Sequence, residues 1–134
     1  MAGPKELNEA LVASLPDQGP VVMVNLLRFL ERSKDGDGSG WDAYLRYSRG
    51  VMPLIQDCGG TVLWAGDGEG LAFGDAGRHT SWAYVVLVRY PSRAAFLAMV
   101  RSKAYTQANT HRENGVEDHV ILAVRETYSK LAAT

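Results

Sequence analysis

Asn25 is the one polar residue in the core of an apolar stretch, VVMVNLLRF, over Val21 to Phe29. A buried amide without partners costs on the order of 1–3 kcal/mol. Backbone, another side chain, water or a ligand must therefore bond it. In the last case it would orient a carbonyl or hydroxyl of a small molecule. His111 and Arg112 form a second candidate pair, near a helix end. The helix dipole by itself favours cations there. The chemical alternative makes Arg112 an anchor for a carboxylate or phenolate and His111 a proton donor or acceptor near neutral pH. Tyr105 lies two helical turns before Arg112, so both fall on one face and can line one cleft. Aromatic residues cluster at Trp41, Tyr44, Tyr47, Trp64, Trp82, Tyr84 and Tyr90. Core packing accounts for most of them, although buried Tyr and Trp also need partners for their polar ends. A cleft walled by Trp64 and Tyr44, with Asn25 at its floor, would suit a flat aromatic or polyketide-like molecule.

Other patterns carry less. Asp35 to Gly40 (DGDGSG) matches the first half of a calcium loop, but Arg46 stands where the bidentate Glu is required. His79, His111 and His119 have no metal-ligand spacing, so no metal is expected. Cys58 ends a helix beside Gly59-Gly60, where the negative end of the dipole disfavours a thiolate, and it reads as a packing residue. The glycines of GDGEG at 66–70 do not have phosphate-loop or dinucleotide spacing, and their two acids would repel phosphate. No Ser/His/Asp order matches a hydrolase motif. Nothing asks for a cofactor.

The chain has 134 residues, one Cys and a formal net charge of -1. That length fits one domain with a core large enough to fold without staples. A single Cys excludes an internal disulfide framework and a Cys-rich zinc site. Near-neutral charge argues against nucleic acid as a partner. The absence of a long apolar segment argues against a membrane span. With no secretory signal pattern at the start, a cytoplasmic location is the expectation.

The elements follow from periodicity. Lys5 to Leu15 reads as a short amphipathic helix ended by Pro16. Val21 to Phe29 reads as a central strand, apolar on both faces. A loop over Glu31 to Gly40 leads into a helix over Trp41 to Cys58, kinked or restarted at Pro53. Thr61 to Ala65 reads as a strand. Gly66 to Ser81 is a long glycine-rich connection with a short ribbon at Leu71 to Phe73. Trp82 to Tyr90 is the next strand. Ser92 and Ser102 are N-caps of two helical pieces, the second stopped by Asn114-Gly115. Val120 to Val124 is the last strand. Three segments result: an N-terminal helix and lead-in (1–19), a main α+β domain (20–126) and a tail (127–134).

The order after residue 20 is β-α-β-β-α-β, the ferredoxin-like arrangement of an antiparallel sheet with helices on one face. The other face then carries apolar side chains without cover. A monomer rarely leaves such a patch in water, so a two-fold homodimer packed sheet on sheet is expected.

Three blocks together resemble a known family: VVMVNLLRF at 21–29, GGTVLWAG at 59–66 and YPSRAAFLAMVRSKAYTQANTHRENGVED at 90–118. The chain is similar to domain-of-unknown-function family 1330, within the dimeric α/β-barrel superfamily. The resemblance implies a ferredoxin-like protomer and a barrel made by two of them. It also matches Asn25 to the family's recurrent strand-one Asn. It implies no particular reaction, since superfamily relatives include cofactor-free oxygenases, haem-degrading enzymes, isomerases and pigment-biosynthesis proteins. The functional expectation is therefore a small, mostly apolar organic guest. It would be bound by Asn25, Tyr44, Trp64 and Tyr105, and transformed, in an enzymatic version of oxygenase, isomerase or cyclase type, by His111 and Arg112. A non-catalytic carrier or a dimeric scaffold is the alternative.

Overall fold

The computed structural model describes residues 6–15, 19–75 and 82–131. Its elements in chain order are α1 (Glu9–Ser14), β1 (Val21–Phe29), α2 (Gly40–Asp57), β2 (Thr61–Asp67), β3 (Tyr84–Tyr90), α3 (Arg93–Val100), α4 (Lys103–Gly115) and β4 (Val116–Val124). The four strands form one antiparallel sheet in the order β2-β3-β1-β4. This is the ferredoxin-like α+β arrangement that the element order predicts.

Strand parity decides what meets the helices. Met23, Asn25 and Leu27 of β1 stand opposite Val88, Val86 and Tyr84 of β3. All six share the face under the helices, because side chains alternate along a strand. Leu27 and Val116 are fully buried there, and Met23, Val86 and Val88 join them in the core. From the helical layer, Tyr44, Tyr47, Val51 and Ile55 of α2 pack down, with Phe96 and Met99 of α3 and Ala108 of α4. The spacing of the α2 residues is the three- and four-step rhythm of an amphipathic helix.

The caps explain where helices begin. Ser39 and Asp42 form a reciprocal capping box at the start of α2. Ser92 and Ser102 accept from Ala95 N–H and Tyr105 N–H at the starts of α3 and α4, as the sequence predicts. At Pro53 the expectation of a restart fails, since α2 runs unbroken to Asp57. Pro53 and Arg49 are both exposed. Water can therefore take the Arg49 carbonyl that proline leaves without a donor. The ribbon expected at Leu71 to Phe73 is absent; Leu71 has no regular structure, and Ala72 and Phe73 form bends. Trp82 lies outside β3, whereas β2 extends two residues further than expected. Lys5, Pro16 and Ser81 lie outside the described residues.

A close backbone contact sets α4 on α2. Gly40, the first residue of α2, donates to Leu30 O at 3.0 Å, and Leu30 N–H donates to Gly115 O at 2.9 Å. A Cβ on Gly40 would collide with the Leu30 carbonyl oxygen and come within 2.5 Å of Gly115 O. Further along, a Cβ on Gly50 would press on Ala108 Cβ at 3.0 Å. Small residues thus let the two helices approach along their length. Gly40→Ala is expected to destabilise the fold by about 3 kcal/mol, because backbone cannot move aside as a side chain can. Urea unfolding checks this, and a change below about 0.5 kcal/mol, the range of an ordinary surface substitution, would contradict it.

Candidate functional site

Between the sheet and the helical layer lies a cavity of about 610 Å³. Its wall is largely apolar, with Met23, Val62, Val86 and Val88 from the sheet and Val51 and Met99 from the helices. Leu11 and Val12 of α1 and Leu15 just after it add to this wall. Two arginines of the α3 segment hold α1 in place. Arg93 donates to the carbonyls of Val12, Ala13 and Leu15 at the end of α1. Arg101 pairs with Glu9 in the first turn of α1.

Polar groups gather at one place on the wall. Arg112 and His119 are 8% and 9% exposed. Arg112 Nε donates to Asn109 Oδ1 at 2.6 Å, and Arg112 Nη1 lies 3.0 Å from His119 Nδ1. The other ring nitrogen, His119 Nε2, lies 2.8 Å from Asn25 Oδ1. Asn25 Nδ2 donates to Met23 O and Val86 O at 3.1 and 3.2 Å. A guanidinium only donates and a backbone carbonyl only accepts. Arg112 therefore requires an acceptor at His119 Nδ1. Asn25, whose N–H groups are turned to the carbonyls, offers only its oxygen to Nε2. Both ends of the chain demand the same form of the ring: neutral, with its proton on Nε2.

Electrostatics agree with the geometry. Burial, helped by the charge of Arg112, pushes the His119 pKa from its ordinary 6.5 down to about 3. Above this group, Tyr47 and Tyr105 meet hydroxyl to hydroxyl at 3.1 Å, with their rings edge to face. Burial, reinforced by neighbouring phenols, raises the Tyr44 and Tyr47 pKa values well above the ordinary value, so both stay neutral hydroxyls.

The structure brings together four of the residues singled out by sequence. Asn25, Tyr44, Tyr105 and Arg112 all line this cavity. Trp64 and His111 do not. Trp64 is 47% exposed and points to the other face of the sheet. The reason is a bulge in β2, where Val62 pairs with Val88 but Trp64 pairs with Leu87. One extra residue reverses the parity, so Ala65 takes the cavity side and the indole folds over Gly66. His111 follows Arg112's neighbour rule: adjacent helical residues diverge by about 100°. It is half-buried off the cavity wall, and its Nδ1 is buried without a hydrogen-bond partner. The histidine of the site is His119, which the sequence reading placed outside the last strand. Alternation counted from Val116 would turn it outward; the shift in the β1–β4 pairing between Arg28 and Phe29 sets it opposite Leu27 on the cavity side, a signal the sequence does not carry.

Elsewhere, Asp35 accepts from the Ser33 hydroxyl at 2.6 Å and from Asp37 N–H at 3.0 Å. These bonds, with Arg46 nearby, hold its carboxyl below the usual range. Among the described residues no group of three or more His, Cys, Asp or Glu side chains is placed to hold a metal. Among them, too, no helix is long and apolar enough to cross a membrane.

The depressed His119 pKa has a sign in stability. The unfolded chain takes up a proton near pH 6.5 that the folded chain refuses until about pH 3. The stability due to keeping this ring neutral is fully present above pH 6.5 and is lost as the pH falls from there. Between roughly pH 6 and 4.5, above the ordinary carboxylate range, the loss attributable to His119 should approach 1.4 kcal/mol per pH unit. His119→Gln should flatten that slope. Urea unfolding across the interval measures it, and equal slopes in both proteins would refute the assignment.

Comparison with known proteins places this fold among relatives. A protein of unknown function from Rhodopseudomonas palustris is 31% identical over 96% of this chain and 100% of its own, with a TM-score of 0.83. A putative antibiotic biosynthesis monooxygenase from Caulobacter crescentus is 17% identical, covering 83% of this chain and 92% of its own, with a TM-score of 0.56. A dabb family protein with a ferredoxin-like fold from Mesorhizobium loti is 10% identical, covering 83% and 100%, at a TM-score of 0.55. The last two share the fold alone. No curated protein matches the chain. Residues 39–126, from the cap of α2 through β4, match the model of the domain of unknown function DUF1330. With that match over most of the chain, the protein belongs to domain-of-unknown-function family 1330.

Proposed function

We propose that the protein is a homodimeric α+β barrel that binds a small, mostly apolar organic molecule in the cavity between sheet and helices. The cavity itself carries the reading. Its volume of about 610 Å³ falls within the range of roughly 300–1,000 Å³ usual for small-molecule sites. Its wall combines a broad apolar surface with a few converging polar groups, the arrangement that fixes a guest's orientation. Tyr44 and Tyr105 supply aromatic surface, and Asn25 and Arg112 belong to the polar end.

The dimer is supported by the sheet's far face. Val22, Val24, Leu63 and Leu87 lie there beneath the segment Arg125 to Leu131. Beyond that cover, Val120 and Leu122 of the edge strand are 40% and 59% exposed. Apolar surface of this extent is stabilised by a second sheet, at about 25 cal/mol per Å² removed from water.

Two measurements test the proposal. The neutral fluorophore N-phenyl-1-naphthylamine should brighten on binding at micromolar concentration. Val62→Trp, which pushes an indole into the cavity from the partly buried edge of the wall, should weaken that binding roughly tenfold, a loss of about 1.4 kcal/mol. Unaltered affinity in that variant would remove the cavity as the site. Light scattering at micromolar concentration should return about twice the protomer mass of 14.6 kDa, and the protomer mass itself would refute the dimer.

A further inference from the structure

Tyr47 of α2 and Tyr105 of α4 both border the cavity, and their hydroxyls meet at 3.1 Å. Two hydroxyls carry two protons, and a bond between them uses only one. Among the described residues neither hydroxyl has another hydrogen-bond partner. One phenolic proton therefore has no acceptor in the protein. Burial decides whose it is. Tyr47 is 9% exposed, whereas Tyr105 is half-buried. If Tyr105 gave its proton to Tyr47, the deeper hydroxyl would hold the unpaired donor, which is the costlier arrangement. Tyr47 thus donates to Tyr105, and the Tyr105 proton is left for whatever occupies the cavity. Burial, reinforced by neighbouring phenols, holds the Tyr47 pKa well above its ordinary value, so Tyr47 keeps the proton it donates.

Other neutral donors at this wall are already committed. Asn25 gives its N–H groups to the carbonyls of Met23 and Val86, and His119 gives its own to Asn25. The Asn109 amide donates to Glu113 Oε1 at 3.0 Å.

We infer that the cavity selects guests with a ketone or ester carbonyl on an apolar body, the carbonyl oxygen accepting from the Tyr105 hydroxyl, and that Tyr47 is the positioning residue that turns this hydroxyl to the guest. The inference rests on the ligand-binding reading above and names the class of ligand. A carbonyl oxygen accepts and brings no proton of its own. An alcohol or amine brings a donor that needs a further acceptor in a largely apolar space. The bond from Tyr47 also polarises the Tyr105 hydroxyl, which makes it a stronger donor. The backbone holds the pair in place. Ser102 accepts from Tyr105 N–H in the first turn of α4, and the Gly50–Ala108 contact lies three residues further along each helix.

Two neutral compounds test this. The ketone 2-acetylnaphthalene and the hydrocarbon 2-ethylnaphthalene share one body and differ by the carbonyl. Each is titrated as a competitor of N-phenyl-1-naphthylamine on the full chain. Tyr105→Phe should weaken the ketone about fivefold, the order of one neutral hydrogen bond, and leave the hydrocarbon unaltered. Difference infrared spectra, with carbon-13 in the ketone carbonyl, give a second reading. In the unaltered protein the carbonyl stretch should lie below its value in hexane. It should return to that value in Tyr105→Phe and fall between the two in Tyr47→Phe. A merely structural role for Tyr47 would alter both affinities and leave the stretch where it was. The spectrum of the unaltered protein needs no variant, so it tests the inference even where Tyr105→Phe does not fold. A stretch at the hexane value in the unaltered protein would overturn the inference. So would a selective loss in Tyr44→Phe, the third phenol on this wall, in place of Tyr105→Phe. If neither compound displaces the fluorophore, the cavity is not a ligand site and both proposals fall. If the hydrocarbon displaces it and Tyr105→Phe treats the two compounds alike, only the carbonyl selection falls.

Discussion

A guanidinium cannot accept a hydrogen bond, and the interior of this protein is arranged around that fact. Arg112 sits on α4, at the polar end of the cavity, and its donor-only character dictates the form of each partner in turn. His119 must be neutral, Asn25 must turn its oxygen outward, and Asn25 must give its N–H groups to the carbonyls of Met23 and Val86. Breaking one member leaves a buried group unsatisfied, which costs more than the lost bond itself. The chain crosses from α4 to β4, then to β1 and β3. It therefore ties the helical layer to three strands of the sheet.

That tie is possible because α4 is held close to its place by other means. Gly40 and Gly115 remove the side chains that would keep the end of α4 from the start of α2, and the Gly50–Ala108 contact continues the approach. The bulge in the β1–β4 pairing, between Arg28 and Phe29, does the matching work on the sheet side. It lets Val116 stand inside, opposite Phe29, while Asp118 stands on the other face and pairs with Arg28 at 2.6 Å. From there the strand resumes regular alternation, and His119 arrives on the cavity side. The register of one strand and two glycines thus decide whether a cation on a helix can meet an imidazole on a strand.

How much of this the sequence discloses depends on the kind of signal. The α+β order was legible because apolar periodicity and glycine or proline punctuation act locally. Asn25 was legible because a polar residue inside an apolar strand must be accounted for wherever it points. Arg112 and Tyr105 were legible because a helix puts them on one face whatever it packs against. His119 was hidden: its neighbours Glu117 and Asp118 are polar, so the start of β4 reads as loop, and only pairing with β1 shows the strand. Trp64 was misplaced because its facing depends on a bulge, a property of two strands together. His111 was drawn to the site by its adjacency to Arg112, and adjacency along a helix is divergence in space.

The bulge in β2 has a meaning for the shape of the cavity. Because it consists of one residue more than its partner strand, it divides the strand into two segments of opposite phase, each joined to a different environment. Smoothing it out with every residue kept would leave the composition of the strand unchanged. It would nevertheless exchange Ala65 for Trp64 on the inner wall, so that an indole replaced a methyl group there, whereas deleting the extra residue would keep Ala65 opposite Val86. Cavity size in this architecture is therefore set by register as well as by residue type. A shift of pairing at this edge strand would remodel the interior as far as several core substitutions, while leaving the four-stranded sheet intact.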